Sequence, residues 1–148
     1  MKVRRSIVAA GAAVVLGGTG AALLPAVASA SSATHTLAFT AVQVKSVSFT
    51  RTTGANQETD VNAAGKTVGF DMIYFAATSP TSAAVNITVD TSGGFLYGTA
   101  TVSNKTGAVT NGKVTGGTGS FKGATGTIKA KVLNKAGTKH AVTITYST

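Results

Sequence analysis

The sequence predicts an all-β fold, a single antiparallel eight-stranded β-barrel, with a β-sandwich as the runner-up. Short segments in which apolar and polar residues alternate recur at regular spacing after residue 31, and glycine-rich turns separate them. This part of the chain shows no sustained 3.6-residue period, so we expect helix to be limited to a turn or two. Closure into a barrel removes the edge strands that a small sheet would expose, and we therefore favour the barrel.

Residues 1–30 have the organisation of a cleavable signal peptide. A basic start, Met1 to Arg5, precedes the apolar stretch Ile7 to Leu16, and Ala28-Ser29-Ala30 supplies the small residues that signal peptidase reads. A transmembrane anchor is the alternative, but glycines and a proline interrupt the apolar run before it reaches the about 20 residues of a span. We expect a secreted protein with its barrel domain at residues 31–148. The basic start is compatible with the general secretory and the twin-arginine routes.

The chain is basic and contains no cysteine, so no disulfide can stabilise the domain. Its 13 Lys and Arg residues face four Asp and Glu residues, and removal of residues 1–30 leaves ten basic residues against the same four acids. A positive face favours an anionic cell-envelope polymer as a partner, and a solvated face that only keeps the protein soluble is the alternative. No specific nucleic-acid partner is expected. The lysines concentrate late in the chain, at Lys113, Lys122, Lys129, Lys131, Lys135 and Lys139.

The first half of the barrel domain combines two β segments with a loop. Thr34 to Arg51 is β-rich, and its apolar positions change phase, which indicates bulges or bends. Thr52 to Gly65 lacks periodicity and gathers polar residues, so we expect the longest exposed loop there, at a barrel mouth. Phe70 to Phe75 is apolar at odd and even positions alike, with the exception of Asp71, and this indicates a strand that is covered on both faces. A second copy of the chain or a covering loop, Ala76 to Ala84, are the alternatives for that cover.

The second half carries the clearest strand signals. Val85 to Asp90 alternates strictly between apolar and polar residues, and Ser92-Gly93-Gly94 then predicts a hairpin into Phe95 to Val102. Ile128 to Val132 alternates with lysines, and Val142 to Tyr146 alternates with threonines and closes the sheet.

A glycine-rich segment between Val114 and Lys131 predicts a tight reversal rather than a flexible linker. Glycine is favoured where φ must be positive or where two backbones touch, and here five glycines surround one aromatic residue immediately before a strand. The residues of this structural turn are Gly116, Gly117, Gly119, Phe121, Gly123 and Gly126.

Four segments together resemble the barrel shared by allene oxide cyclases and dirigent proteins. VTGGTGSFKGATGTIKAK, at Val114 to Lys131, and AVTITY, at Ala141 to Tyr146, are similar to its C-terminal half. The start of one strand of that barrel, with a glycine and a spacer before Val-Gly, resembles GKTVGFD at Gly65 to Asp71. Its central hairpin resembles GGFLYGTATV at Gly93 to Val102. The resemblance spans roughly Thr34 to Tyr146. It implies an eight-stranded barrel and a homo-oligomer, which is a trimer in the related families.

Motifs for other chemistries fail on spacing or context. Gly107 to Lys113 has the spacing of a phosphate-binding loop, but Val114 replaces the Ser or Thr that ligates magnesium and no helix pattern follows. Gly117-Thr118-Gly119 lacks the third glycine of a dinucleotide fingerprint. His35 and His140 have no third ligand nearby in sequence, although the outer strands of a barrel meet on closure. We expect no metal site, no cofactor and no Ser-His-Asp arrangement.

The residues that the related families use for catalysis have no full match. Allene oxide cyclases use a glutamate, a cysteine and asparagines inside the barrel, whereas here cysteine is absent and Glu58 falls in the predicted loop. Dirigent proteins use an aspartate in an early strand, but Leu37 to Val42 contains no acid, and no arginine follows the Val-Gly pair. Asp71 and Asp90 are left as candidate catalytic acids. Strand carboxylates that face outward and pair with lysine are the alternative.

Two functions follow from the sequence. The first is a secreted, non-catalytic barrel that binds a small apolar, aromatic or phenolic ligand, or the cell envelope. The second is an isomerase or cyclase that acts on a hydrophobic substrate inside the barrel, mostly by confinement and orientation. Six aromatic residues have a strand parity compatible with the interior and are the candidate ligand-binding residues: Phe39, Phe70, Tyr74, Phe95, Tyr97 and Tyr146.

Overall fold

A computed structural model describes residues 32–148, so the predicted signal peptide lies outside the described residues. Eight strands and one short 3-10 helix follow one another. The strands are β1 (Thr34–Ser48), β2 (Thr53–Val61), β3 (Thr67–Ser79), β4 (Ser82–Thr91), β5 (Gly94–Ser103), β6 (Val109–Gly117), β7 (Thr125–Val132) and β8 (Lys139–Ser147), and the helix, between β6 and β7, spans Gly119–Phe121.

Every strand pairs antiparallel with the next, and β8 pairs with β1, which closes the sheet into a barrel. The predicted eight-stranded antiparallel barrel is confirmed. The pairing of β6 with β7 is the shortest, with Lys113 opposite Thr127 and Val114 opposite Gly126. One register shift in β1, between Gln43 and Lys45, is a bulge of the kind that the changes of apolar phase indicated.

The segment predicted as the longest exposed loop is a strand, and that prediction is wrong. Thr53–Val61 forms β2, which pairs along its length with both β1 and β3. Its inward positions carry Glu58 and Asp60 instead of apolar residues, so the alternation that identifies a half-buried strand is missing from the sequence. Pairing on both sides imposes the extended conformation despite the composition, because β-propensity depends strongly on context.

The covering loop considered for the outer face of β3 is also absent. Ala76 to Ala84 is itself the β3–β4 hairpin, with Ala77 paired to Ala83, and it continues the barrel wall. The outward side chains of β3, among them Phe70 and Met72, are therefore exposed in residues 32–148.

The two ends of the barrel differ. The upper end, as we name it, carries the 3-10 helix with the β2–β3, β4–β5 and β6–β7 connections, and the lower end carries the other four. At the upper end Gly119 has a positive φ of 56°, a conformation that favours glycine. There the Ser120 N–H donates to the Gly93 carbonyl at 2.9 Å and the Thr118 N–H to the Phe95 carbonyl at 2.8 Å. These bonds hold the glycine-rich turn against the β4–β5 hairpin.

Phe121 projects from this turn into the barrel and is buried in its hydrophobic core. Leu96, Val114, Ala124 and Ile144 belong to the same core. The upper end of the barrel is therefore packed. In the part of the chain that the structure describes, no helix is long and apolar enough to cross a membrane.

Candidate functional site

A cavity of about 220 Å³ lies inside the barrel, between the packed core and the lower end. Its wall is mostly aliphatic and comes from strands on all sides, for example Ile73, Val85, Ile128 and Val142. These residues face inward because alternate side chains of a strand point to the same face. The polar groups in the wall are the side chains of Asn56, Glu58, Asp71, Asn104 and His140.

Three acidic side chains are buried inside the barrel wall. Glu58 and Asp60 on β2 are each 1% exposed and Asp71 on β3 is 5% exposed. Register explains how they meet, because Glu58 lies opposite Asp71 and Asp60 lies opposite Gly69. Gly69 has no side chain, so the Asp60 carboxyl has room beside it.

These carboxyl groups have few partners. Both oxygens of Glu58, both oxygens of Asp60 and Oδ1 of Asp71 are buried and accept no hydrogen bond from the described part of the chain. Native proteins pair nearly all buried polar atoms, so five unpaired oxygens in one place are unusual. A hydrogen bond between Asp60 and Asp71 forms only when one of them carries a proton.

His140 is the basic side chain nearest to these acids. Its Nδ1 lies 3.8 Å from Oε2 of Glu58, and its side chain is 19% exposed. His140 on β8 is opposite Ala41 on β1, and Ala41 is in turn opposite Asp60 on β2. Since Ala41 has only a methyl group, the imidazole reaches across β1 toward the acids.

Burial changes the protonation of the two aspartates. Burial, then the charges of Glu58 and Asp60 and a hydrogen bond to Asp60, together raise the pKa of Asp71 from 3.8 to about 9. Burial also raises the pKa of Asp60, to about 7; the hydrogen bond with Asp71 lowers this pKa and the charge of Glu58 raises it. Asp71 is therefore a neutral acid at pH 7 and can donate a hydrogen bond or a proton into the cavity.

The two candidate catalytic acids from the sequence separate in the structure. Asp71 is inside and lines the cavity. Asp90 is exposed on the outer face of β4, because its neighbour Val89 takes the inward position. An interior position is therefore wrong for Asp90.

The interior orientation expected for most of the six aromatic residues is wrong as well. Four of them are on the outer face of the barrel, with exposures from 38% for Tyr97 to 49% for Phe70. Their side chains were predicted to point inward, but the inward positions of β3 and β5 belong to the alternate residues, which include Asp71 and Leu96. The four are Phe70, Tyr74, Phe95 and Tyr97.

The remaining two aromatic residues differ in position. Phe39 is buried and lines the cavity. Tyr146 packs against the core, with its ring 5.4 Å from that of Phe121 in an edge-to-face arrangement and 5.3 Å from that of His35. Tyr146 thus belongs to the packed upper end.

Sequence reasoning missed Glu58, Asp60 and His140 as site residues. Asn56, Glu58 and Asp60 occupy alternate positions, and this period of two was the available signal for a strand with a polar inner face. His140 required knowledge of which strands meet on closure. Within residues 32–148, no three His, Asp or Glu side chains are arranged to hold a metal ion.

Comparison with known proteins identifies the fold only. No family model matches the sequence, and no curated protein matches it. Among solved structures, the chain is similar to a nonspecific heme-binding cyclase that catalyses a 4 + 2 cycloaddition during neoabyssomicin biosynthesis, with a TM-score of 0.62 and 9% identity. The match covers 76% of this chain and 64% of that one, so the chain spans under two thirds of its neighbour's length. This likeness is one of fold, an eight-stranded antiparallel β-barrel.

Proposed function

We propose that the protein is a cyclase or isomerase that encloses a small, largely apolar substrate in the barrel cavity. The observation that carries this proposal is the buried carboxyl group of Asp71, which lies beside Glu58 in the wall of a mostly aliphatic cavity. Burial raises its pKa, so that it is a neutral acid at pH 7. Structural carboxylates are normally exposed or paired, whereas acids with raised pKa values in cavities are typical of general acids. The similarity in fold to a cyclase, and the resemblance to allene oxide cyclases and dirigent proteins, are consistent with this class.

The site residues have distinct roles in this proposal. Asp71 donates a hydrogen bond or proton to an oxygen of the substrate as negative charge develops there. Glu58, opposite Asp71, accepts a proton from another position of the substrate, so that the substrate gains one proton and loses one, and transfer of the proton from Glu58 to Asp71 restores the starting state. His140, whose Nδ1 lies 3.8 Å from Oε2 of Glu58, holds the Glu58 side chain in position. The aliphatic wall confines the substrate in a folded conformation.

A non-catalytic binder is the second candidate. Its support is the cavity itself, whose mostly aliphatic wall suits a small hydrophobic or phenolic ligand whether or not a reaction follows.

A ligand panel separates the two candidates. Phenols, five-carbon isoprenoids and short-chain fatty acids and alcohols, all of about the size that the 220 Å³ cavity admits, are incubated with the protein, and thermal shift and product formation are both recorded. A ligand at about 100 times its dissociation constant adds roughly 2.7 kcal/mol to stability, which is readily detected as a higher melting temperature. Conversion that Asp71→Asn stops without loss of the thermal shift supports the enzyme. A shift without conversion supports the binder, and no shift with any compound contradicts both.

We also propose that the protein is secreted after cleavage before Ser31, on the basis of the signal-peptide pattern in residues 1–30. Intact-mass analysis of culture supernatant tests this. A mature N-terminus at Ser31 is expected, and an uncleaved product in the membrane fraction would contradict it.

We propose further that the outer face of β3 and β5 is an interface between copies of the chain. Four aromatic residues and Met72 are exposed on it, which is uncommon for a monomer. The trimer that the family resemblance implies is the expected assembly.

An anionic cell-envelope polymer is the proposed partner for the rest of the surface. All ten basic residues of the described chain are exposed, whereas three of its four acids are buried, which leaves Asp90 as the exposed acid. The surface is therefore more basic than the composition alone indicates.

A further inference from the structure

The wall of the cavity contains buried oxygen atoms that have no hydrogen-bond donor. Glu58 and Asp71 contribute carboxyl groups to the wall, and Asn56 and Asn104 contribute side-chain amides. Both oxygens of Glu58, a side chain that is 1% exposed, have no hydrogen-bond donor. The imidazole of His140, 3.8 Å away, is the one basic group in the cavity wall. The site thus combines an apolar chamber with buried acceptors that lack donors.

We propose that the cavity selects ligands with a primary ammonium group, which contacts Glu58 and Asp71 while an apolar body fills the aliphatic part of the chamber. This inference rests on the proposed function, since it concerns the same cavity; because the bound ammonium takes the place of the Asp71 proton, such a ligand blocks the proposed reaction instead of undergoing it. An ammonium group has three N–H donors and one positive charge, and these match the unpaired oxygens and the acidic character of the site. In a site of low dielectric this pairing is far stronger than in water.

The basic residues outside the cavity repel an ammonium ligand, but only weakly. Arg51, Lys105 and Lys135 lie in connections at the lower end and are exposed. Their repulsion of a cation is screened over about 8 Å at physiological salt, whereas the carboxyl groups act at contact distance. The basic rim slows association at low salt, and the buried acids determine the affinity.

Binding of an ammonium group competes with protons. The titratable groups that face the site are Glu58 and Asp60 from β2, Asp71 from β3 and His140 from β8. On β1 and β4, which flank these strands, the charged residues are exposed. Because the pKa of Asp71 is raised to about 9, the bound ammonium must displace a proton from it at neutral pH. Affinity therefore rises as the pH increases, until the amine itself loses its charge above about pH 10.

The size of the cavity fixes a suitable probe series. At about 30 Å³ for each water-sized group, 220 Å³ takes about seven non-hydrogen atoms. Hexylamine and hexan-1-ol have that size, and hexanoate is one atom larger. Calorimetric titration of the purified protein with each compound, at pH 6 and pH 8.5 in two buffers of different ionisation enthalpy, gives affinity and proton release together.

We expect hexylamine to bind at least tenfold more tightly than hexan-1-ol at pH 8.5, to release protons, and to lose most of this advantage at pH 6. Asp71→Asn should remove the preference for the amine, and Glu58→Gln provides a second variant should the first fail to fold. Asp90→Asn, the same substitution on the outer face, should retain the preference. Equal binding of the amine and the alcohol would contradict the inference and leave the cavity's proposed function intact. No binding of any of the three compounds at either pH would overturn both.

Discussion

Glu58 and Asp71 lie opposite each other on β2 and β3, and both side chains are buried in the barrel interior. Two carboxyl groups in this arrangement cannot both be ionised without a large cost, because each is removed from water and each repels the other. Their protonation is therefore coupled to the stability of the barrel and to whatever occupies the cavity. The pH dependence of stability, the effect of Asp71→Asn and the titration of Asp71 all depend on this pair.

The stability of the protein should decrease as the pH rises from about 4 to about 9. The pKa values of Asp71 and Asp60 are raised to about 9 and about 7 in the folded protein, above those of the unfolded chain. The folded state therefore binds more protons in this range, and each proton lost on raising the pH favours unfolding. Thermal melts between pH 4 and pH 9.5 measure the effect.

Asp71→Asn measures how much the Asp71 carboxyl contributes to the pH dependence of stability. We expect the variant to melt several degrees above the parent at pH 8.5, because the folded parent then keeps a proton on Asp71 that the unfolded chain has released, and asparagine does not carry this cost. At pH 5, which is closer to the pKa of an aspartate in the unfolded chain, the difference should be much smaller. Asp90→Asn is the control; because Asp90 lies on the outer face between Phe70 and Phe95, any change in its melting temperature should be the same at both pH values. Parallel pH profiles for the parent and Asp71→Asn would show that Asp71 has an ordinary pKa.

The packed upper end should depend on its turn. Gly119→Val should lower stability by about 1–3 kcal/mol, because Gly119 has a positive φ and a side chain there meets the backbone of Gly93. Phe121→Ala should cost about 3–5 kcal/mol, since it empties a core position. Lys122→Ala, an exposed neighbour, is the control. Denaturant unfolding that places all three variants within error of the parent would make this segment an ordinary surface loop.

Much of the fold was predictable from sequence because local and global signals agree there. Val85 to Asp90 alternates in sequence, and the same residues alternate between interior and surface in β4. The glycine spacing around Phe121 predicted the reversal between β6 and β7. In both places the hydrophobic pattern and the turn chemistry lead to one conformation.

The site was not predictable in the same way, because its strands place acidic residues inside the barrel and apolar residues outside, the opposite of the usual arrangement. β2 carries acids where a barrel strand normally carries apolar residues, so it was assigned to a loop. β3 carries aromatic residues outside and Asp71 inside, so parity assigned by hydrophobicity gave the wrong face. The approach of His140 to Glu58 depends on barrel closure between β8 and β1, which no local pattern encodes.

The exposed aromatic face should control assembly. Light scattering coupled to gel filtration should give the mass of an oligomer, a trimer by family resemblance. The double variant Phe70→Ser with Met72→Ser should shift the protein toward monomer, because it removes exposed apolar surface from the β3 side of the face. Leu133→Ser, which removes an exposed apolar side chain from the β7–β8 connection, should leave the mass unchanged. A parent protein that is monomeric at all concentrations would contradict this interface.

The lysines of β7 should mediate binding to anionic polymers. Lys129 and Lys131 are exposed on the same strand and share its outward parity. Retention on a teichoic-acid-like resin should fall steeply between low and physiological salt, where charges separated by more than about 8 to 10 Å are screened. Lys129→Glu with Lys131→Glu should abolish retention, whereas Lys45→Glu with Lys66→Glu, an equal change of charge elsewhere, should weaken it less. Equal retention of both double variants would leave only a role in solubility.

The protonation of Asp71 is the central claim of this account, and carboxyl carbon-13 NMR measures it directly. Spectra of the labelled protein between pH 4 and pH 10, with Asp71→Asn to assign the resonance, follow this single group. We predict that the Asp71 carboxyl remains protonated at pH 7 and titrates near pH 9, above Asp60 at about 7. An Asp71 resonance that titrates near 4, as in an unperturbed aspartate, would contradict the buried neutral acid and the proposed catalytic function with it.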